Sequence, residues 1–203
     1  MKVQVDKNYG EITNGGILNF IPFFLKNLKM NNNKIKLRSV RKNDLELIRN
    51  WRNDPYIFQF NKQHNLLNMK NQLNWFKTIN IKNSDKKMFI IEKDLIPIGI
   101  CGFVNINNII HSGDIAIIIG NIKLQKKGFG SIVLKKLIEY GFKNLKLNKI
   151  GAEIFESNLI SKKFFEKFNF QHEVTCREAL WRNNRYWDIY NYSLLKFEYN
   201  ETD

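Results

Sequence analysis

The sequence predicts a mixed α+β fold in a single domain of about seven strands and about four helices. Two observations support this prediction. Apolar residues repeat with the period of a strand in some segments and with the period of a helix in others, and the two kinds of segment alternate along the chain. The 203 residues are enough for one such domain with a substantial core, but they are too few for two.

Each predicted element has its own sequence pattern. Residues 34–40 alternate between the two faces of a first strand. Asn43 or Asp44 can cap a helix that stops before Pro55, because proline disfavours a helical conformation in the residue before it. The remaining predicted elements are a helix over 68–79, strands over 88–91, 96–104 and 114–120, a helix with apolar residues from 133 to 142 on one side, a strand over 149–155, a helix over 158–168, and strands over 170–176 and 186–195.

Cysteine, histidine and apolar content exclude several classes of protein. Cys101 and Cys176 have no paired spacing and the histidines are scattered, so we expect no disulfide framework, no metal site and a cytoplasmic location. The apolar stretch over 17–28 is shorter than the roughly 18 residues that a membrane span needs, and no other segment reaches that length. We expect residues 1–33 to be an N-terminal extension of unassigned role and residues 34–203 to be the folded domain.

The chain is strongly basic, with 33 Lys and Arg against 19 Asp and Glu and a formal net charge of +14. Such a field attracts polyanions. The basic residues are spread along the chain rather than gathered in one stripe, which disfavours nucleic acid without excluding it and leaves small anionic molecules as fitting partners. A bias of the sequence towards Lys, Asn and Ile explains the charge equally well.

The segment Q-K-K-G-F-G, residues 125–130, lies between a predicted buried strand and a predicted helix, where a phosphate-binding turn is expected. Glycines let the backbone approach a ligand closely, and the free N–H groups of the first helical turn point at an anion. Lys126 and Lys127 add positive charge. Neither G-x-G-x-x-G nor G-x-x-x-x-G-K-[ST] is present, so the Rossmann and P-loop motifs are excluded, and the spacing alone also fits an ordinary tight turn.

Two further segments make this loop part of a recognisable pattern. Residues 125–130 resemble the Q/R-x-x-G-x-G/A loop of the GNAT superfamily of N-acetyltransferases, and N-L-I-S-K-K-F-F-E-K-F-N-F, residues 158–170, is similar to the family's N-x-x-[SA]-x-x-[LF]-Y-E-K-x-G-F. Residues 182–195 resemble the last strand of the RimJ/RimL-type branch. The resemblance, which covers residues 34–197, implies the GNAT fold, with a central, mostly antiparallel sheet. It also implies an acetyl-CoA-dependent enzyme that acylates a primary amine and is compatible with a homodimer.

The resemblance also implies which residues contact acetyl-CoA: Ile117, Ile118, Ile119, Gln125, Lys126, Lys127, Gly128, Phe129, Gly130, Ser131, Asn158, Ser161 and Phe165. This chain departs from the pattern at two positions. Asn169 replaces a glycine, and Phe165 replaces the tyrosine whose hydroxyl, in many members, is thought to protonate the leaving thiolate. Other groups could protonate the leaving thiolate, namely Ser161, a tyrosine of the last strand or a water molecule. The thiolate could also leave unassisted, since the pKa of a thiol is only about 8.5.

A general base is needed to deprotonate the amine. Glu153, on the strand before the second motif, is the first candidate, because several members of the family carry a catalytic glutamate there. Asp114, at the start of the buried strand, is the second, and His111 is a weaker third.

The acceptor site of the resembled fold lies at the first helices. There the sequence W-R-N-x-P, starting at Trp51, resembles the PseH-like group, which acetylates a 4-amino sugar on a nucleotide diphosphate. Arg52 could then bind a phosphate bidentately, Trp51 or Phe60 could stack on a base, and Asn53 belongs to the same predicted acceptor-binding set. Alternatively Trp51 belongs to the core and its two neighbours only anchor the helix. A RimJ/RimL-like transferase for protein N-termini and a non-catalytic module binding CoA or nucleic acid remain as alternatives.

Overall fold

The computed structural model describes residues 35–79 and 81–199, so the predicted extension over 1–33 lies outside the described residues. Within them, seven strands form one sheet and five α-helices flank it. The strands are β1 (Ile35–Ser39), β2 (Lys87–Lys93), β3 (Ile96–Asn107), β4 (Ser112–Ile119), β5 (Lys149–Phe155), β6 (Gln171–Arg182) and β7 (Arg185–Leu195). The helices are α1 (Leu45–Asn53), α2 (Pro55–Phe58), α3 (Met69–Thr78), α4 (Phe129–Lys143) and α5 (Leu159–Glu166). The predicted α+β fold is confirmed.

The helix that the sequence analysis missed is α2, a single turn directly after α1. Pro55 occupies its first turn, and the Asp54 carboxylate accepts a hydrogen bond from the Tyr56 N–H. Proline at the first helical position and aspartate before it favour helix initiation. Asp54 therefore ends α1 and also starts α2. The sequence analysis missed α2 because a helix of four residues is too short to produce a periodic apolar pattern.

Neighbouring strands of the sheet follow the order β1-β2-β3-β4-β5-β7-β6 and are antiparallel, except that β4 and β5 are parallel. The parallel pairing covers only Ser112 to Asp114, which face Lys149 to Gly151. Beyond that point β4 remains paired with β3, whereas β5 remains paired with β7. The middle of the sheet therefore splits, and an open wedge separates the two strands.

The core has two layers because successive residues of the central strands face opposite sides of the sheet. Ile91 and Cys101 face the layer that contains α4, whereas Ile90 and Ile100 face the layer that contains α1. Within the described residues no helix is long and apolar enough to cross a membrane.

The last two strands form a hairpin that is longer than predicted, because β6 continues six residues beyond 176. The turn consists of Asn183 and Asn184, which have positive φ angles of 53° and 56°. Asparagine tolerates this left-handed conformation, which two-residue hairpin turns require. β6 is an edge strand with mostly exposed side chains, so its outer half lacks the apolar alternation that would have predicted it.

Candidate active site

The wedge between β4 and β5 opens a cleft of about 650 Å³. We call β4, the 125–131 loop and α5 the donor half of its wall, and α2 with residues 59–67 the acceptor half. The predicted site residues in the lining are Phe60, Asp114, Ile117, Ile118, Ile119, Gln125, Lys126, Gly128, Gly130, Ser131, Glu153, Asn158, Ser161 and Phe165. Trp51, Arg52, Asn53, Lys127 and Phe129 are not among the lining residues.

The edge of β4 that faces the wedge offers backbone donors. The Gly120 N–H donates to the Ile98 carbonyl of β3 at 2.8 Å. Since backbone groups point alternately to the two edges of a strand, the N–H groups of Ile119 and Ile117 face the cleft, whereas that of Ile118 faces β3. The Gln125 side chain donates to the Ile119 carbonyl at 2.8 Å and so ties the loop to the end of the strand.

The loop at 125–130 has the geometry that an anion site requires. Gly128 has φ 84°, and a Cβ there would meet no atom within 4 Å, so glycine is needed for its left-handed conformation rather than for space. The Gly128 carbonyl accepts hydrogen bonds from Ser131 and Ile132. The preceding N–H groups, of Phe129 and Gly130, have no carbonyl one turn earlier and remain available to a ligand. The exposed Lys126 adds positive charge at the same place.

Two loop residues contribute less than the sequence predicted. The Phe129 side chain is only 6% exposed and packs in the main core, so only its backbone can contact a ligand. Lys127 is exposed and its side chain lies outside the cleft lining. The predicted roles of these two residues towards CoA therefore reduce to a backbone N–H from Phe129 and to a more distant positive charge from Lys127.

The second motif forms the start of α5. The Asn158 side chain caps the helix by accepting a hydrogen bond from the Ser161 N–H at 3.1 Å, which leaves its amide N–H₂ free to donate. Phe165 is 8% exposed and packs edge-on against Phe164 and Phe170. It closes the floor of the cleft but offers no proton.

The hydroxyl groups near the cleft differ from those predicted. Tyr192 donates to Glu166 Oε1 at 3.0 Å, and burial together with this bond raises its pKa to about 12. Neither Tyr192 nor Tyr190 lines the cleft. Ser161 lines the cleft, as does Tyr56 of α2. The sequence analysis missed Tyr56 because it missed the helix that carries this residue.

Both predicted carboxylates line the cleft, in different environments. Asp114 is half-buried, and its Oδ2 accepts a hydrogen bond from Asn105 Nδ2 at 2.9 Å. Burial raises the pKa of Asp114; the Asn105 hydrogen bond opposes this shift, and the negative charge of Glu153 adds to it. A Cβ at Gly151 would collide with Asp114 Oδ1, so this glycine makes room for the carboxylate. Glu153 is exposed and forms an ion pair with Lys62.

His111, the weaker candidate base, lies in the exposed turn between β3 and β4, outside the cleft lining. Its backbone carbonyl accepts hydrogen bonds from Asn148 and Lys149, so its position supports a structural role. In the part of the chain that the structure describes, no group of three or more His, Cys, Asp or Glu side chains could hold a metal ion.

Two of the residues predicted to bind the acceptor have structural roles. Trp51 is 8% exposed and packs in the α1 layer, where a Cβ at Gly120 would collide with its ring. This burial leaves no ring face for a base, which corrects the stacking role predicted for Trp51. The Asn53 side chain accepts from the Leu67 N–H and donates to the Leu67 carbonyl, both at 2.8 Å, so it anchors the end of the 59–67 loop.

The other acceptor residues are closer to the prediction. Arg52 is half-buried, and its guanidinium has no hydrogen bond or ion pair with any described residue; burial lowers its pKa. It is not among the residues that line the cleft. Phe60 lines the cleft edge-on to Tyr56, with ring centroids 6.3 Å apart. Lys62, which the sequence analysis missed because it lies in no motif, lines the same wall.

Known proteins share this architecture. Residues 34–171 match the family described as acetyltransferase (GNAT) domain. Acetyltransferase PseH from Campylobacter jejuni is 32% identical over 139 residues, which is 67% of this chain and 84% of that protein. Spermidine N(1)-acetyltransferase from Vibrio cholerae is 27% identical over 173 residues, or 83% and 96% of the two chains. The crystal structure of spermidine N-acetyltransferase from Vibrio cholerae, in complex with CoA and spermine, superposes with a TM-score of 0.75 at 24% identity, covering 81% of this chain and 96% of that one.

Proposed function

The chain belongs to the GNAT acetyltransferase family and is an acetyl-CoA-dependent N-acetyltransferase, and we propose that it acetylates the 4-amino group of a nucleotide-linked amino sugar. The residues of the donor half fit acetyl-CoA, because they combine free N–H groups on β4 and at the start of α4 with a left-handed glycine turn and an exposed lysine. Bound acetyl-CoA supplies the acetyl group as a thioester.

In this proposal the donor half binds through its backbone. The N–H groups of Ile117 and Ile119 are assigned to the thioester arm, where a backbone donor can polarise a carbonyl. The N–H groups of Phe129 and Gly130 are assigned to the pyrophosphate, and the free Asn158 amide is assigned to the arm between them.

We assign the general base to Asp114 rather than to Glu153. A base works best when its pKa lies near the working pH, and burial moves the pKa of Asp114 in that direction. Glu153 is exposed and its carboxylate already forms an ion pair with Lys62, so it is less available to the amine of the acceptor. In the proposed step Asp114 accepts a proton from the ammonium group of the acceptor, and the neutral amine is then the nucleophile. Glu153 acts through its charge on Asp114.

The proton that the leaving thiolate needs cannot come from Phe165. Ser161 and Tyr56 are hydroxyl donors on opposite walls of the cleft, which Ser131 also lines. Because a thiolate is a good leaving group, with a conjugate pKa of about 8.5, we expect a modest contribution from either hydroxyl.

The observation that carries the substrate proposal is the charge of the cleft wall. Asp114 and Glu153 are the acidic residues in the described cleft lining, and Glu153 is neutralised by Lys62. Arg52, at the end of α1 and outside the cleft lining, has no acidic partner among the described residues. A polyamine carries several positive charges and would meet too few carboxylates here. A nucleotide diphosphate carries the opposite charge, and Phe60 offers a ring edge for its base.

Sequence similarity supports the same class of acceptor, since the W-R-N-x-P segment resembles the PseH-like group and a relative of that name is similar over two thirds of the chain. The RimJ/RimL assignment, the homodimer and the cytoplasmic location remain predictions that belong to this proposal.

The proposal is tested by incubating the full chain with acetyl-CoA and a UDP-linked 4-amino sugar and identifying the product by mass spectrometry and NMR. We expect acetylation of the 4-amino group, and much slower acetylation of the free amino sugar without its nucleotide. A UDP-sugar with a hydroxyl at the same carbon serves as the control and should only inhibit. Acetylation of a peptide N-terminus or of spermidine, with the UDP-linked amine untouched, would contradict the proposal.

A further inference from the structure

We infer that Arg182 is a positioning residue that fixes the acceptor half of the cleft and thereby sets the affinity for the acceptor, although it contacts neither substrate. Arg182 ends β6, at the tip of the last hairpin. It is not among the cleft-lining residues. The inference rests on the proposed function only in assigning the acceptor to this wall.

The evidence is a set of contacts that cross between distant parts of the chain. Arg182 Nη1 donates to the carbonyls of Phe58 at 3.1 Å and Gln59 at 2.8 Å. Its Nη2 donates to those of Asn61 at 2.7 Å and Gln63 at 2.6 Å. One guanidinium thus holds the end of α2 and the first part of the 59–67 loop, and its planar fork suits it to bind several acceptors at once.

Aromatic side chains confine the same guanidinium. Its Cζ lies 5.2 Å from the ring centroid of Phe58 and 5.9 Å from that of Phe155. Phe155 ends β5 and lines the cleft, whereas Phe58 ends α2. Arg182 therefore bridges the strand that carries Glu153 and the helix that carries Tyr56.

The hairpin turn holds Arg182 in place. Asn183 and Asn184 adopt the left-handed conformations that bring Arg182 opposite Arg185. The Trp187 indole N–H donates to the Arg182 carbonyl at 3.0 Å. The Asn183–Asn184 turn and Trp187, which the sequence analysis related only to the last strand, thereby support the position of the Arg182 side chain.

The acceptor half depends on such a support. Its cleft-lining residues Phe60 and Lys62 lie in the loop between α2 and α3, which has no strand or helix of its own. Asn53 fixes the end of this loop, and Gln63 Nε2 donates to the Arg52 carbonyl at 3.1 Å. Arg182 supplies the contacts that reach the loop from the other side of the cleft.

The test compares R182A and R182K with R185A. Arg185 lies in the same turn, but it pairs with Glu156 and stacks on Trp187 without contacting the loop. A misplacement of about 1 Å can cost about 100-fold in rate. We therefore expect R182A to raise the acceptor KM by between about 10-fold and 100-fold, with the acetyl-CoA KM within about twofold of wild type. R182K retains the charge but loses the planar fork, so its acceptor KM should lie between those of wild type and R182A. The acceptor KM of R185A should match that of wild type.

Amide hydrogen exchange gives a second measurement that does not depend on the acceptor. R182A should speed exchange at residues 59–67 and leave α4 and β5 unchanged; if R182A does not fold, R182K carries the same test. An unchanged acceptor KM with an unchanged loop would overturn the inference. So would parallel changes in both KM values, kcat and melting temperature, because these indicate a general structural role. If another amine proves to be the acceptor, its KM replaces that of the sugar, and the exchange result stands independently.

Discussion

The two halves of the cleft wall offer different groups to a ligand. The donor half offers backbone N–H groups, which β4, Gly128 and the capped start of α5 hold in position. In the acceptor half the wall is a loop whose own backbone carbonyls are occupied by Arg182 and whose side chains face the cleft. A backbone site is the same for any residue that can adopt its conformation, whereas a side-chain site changes with every substitution.

The largest expected effect concerns the chemistry where the two halves meet. D114N removes the proposed base and should lower kcat by between about 100-fold and 10,000-fold, with the acetyl-CoA Kd unchanged. In wild type, kcat/KM should rise with pH around a midpoint above the ordinary carboxyl pKa, because Asp114 must lose its proton and burial raises its pKa. Stopped assays over a range of pH measure both the loss of kcat in D114N and the pH dependence of kcat/KM in wild type.

E153Q is the matched control for this prediction. Removing the negative charge of Glu153 eases ionisation of Asp114, so the acid limb of the pH profile should move to lower pH while most activity remains. If instead E153Q is inactive and D114N is nearly normal, the two assignments must be exchanged.

The next effect tests the joint between the halves, where Trp51 of α1 packs on Gly120 at the end of β4. G120A introduces a Cβ into the Trp51 ring, and we expect a loss of about 1–3 kcal/mol in the free energy of unfolding. Urea denaturation followed by circular dichroism measures it. G130A is a suitable comparison, since a Cβ there would lie an ordinary 3.6 Å from the Phe164 ring. Equal stability of the two variants would show that the Trp51 ring can move away from residue 120, which would contradict the close packing of Trp51 on Gly120.

A change confined to the donor half should have an intermediate effect. Alanine at Gly128 meets no neighbouring atom, but the left-handed conformation costs an L-residue about 1–2 kcal/mol. G128A should therefore weaken acetyl-CoA binding about tenfold by calorimetry and leave the acceptor KM at saturating acetyl-CoA unchanged. A larger change in the acceptor KM than in the acetyl-CoA Kd would contradict the separation of the halves.

The smallest effect concerns the acceptor half alone. K62A removes an exposed positive charge from the wall and should raise the acceptor KM a few-fold, because exposed charge interactions contribute about 0.2–1 kcal/mol. Added salt should shrink the difference from wild type. Lys70, which is exposed on α3 outside the cleft lining, provides the control variant K70A. A fall in the acceptor KM on removing Lys62 would indicate a cationic acceptor.

The same difference between the halves explains what the sequence could predict. The loop around Gly128 and the cap Asn158 were recognisable because backbone conformation there demands particular residues at fixed local spacing. Arg182 and Lys62 were not, because their partners lie far away in the chain and no local pattern marks such contacts. For Trp51 the sequence left two roles open, because the resemblance suggested binding whereas the spacing with Ile48 fitted a core position, and the burial of Trp51 supports the core position.

The central claim is that an anionic, nucleotide-linked amine is acetylated in this cleft. It is tested most directly by measuring kcat/KM for a UDP-linked 4-amino sugar and for spermidine side by side, at saturating acetyl-CoA and on one preparation of the full chain. The account predicts a preference for the nucleotide sugar of at least about 100-fold, since two substrates of opposite charge meet a wall that has a single unpaired carboxylate. Equal efficiency, or a preference for spermidine, would contradict it.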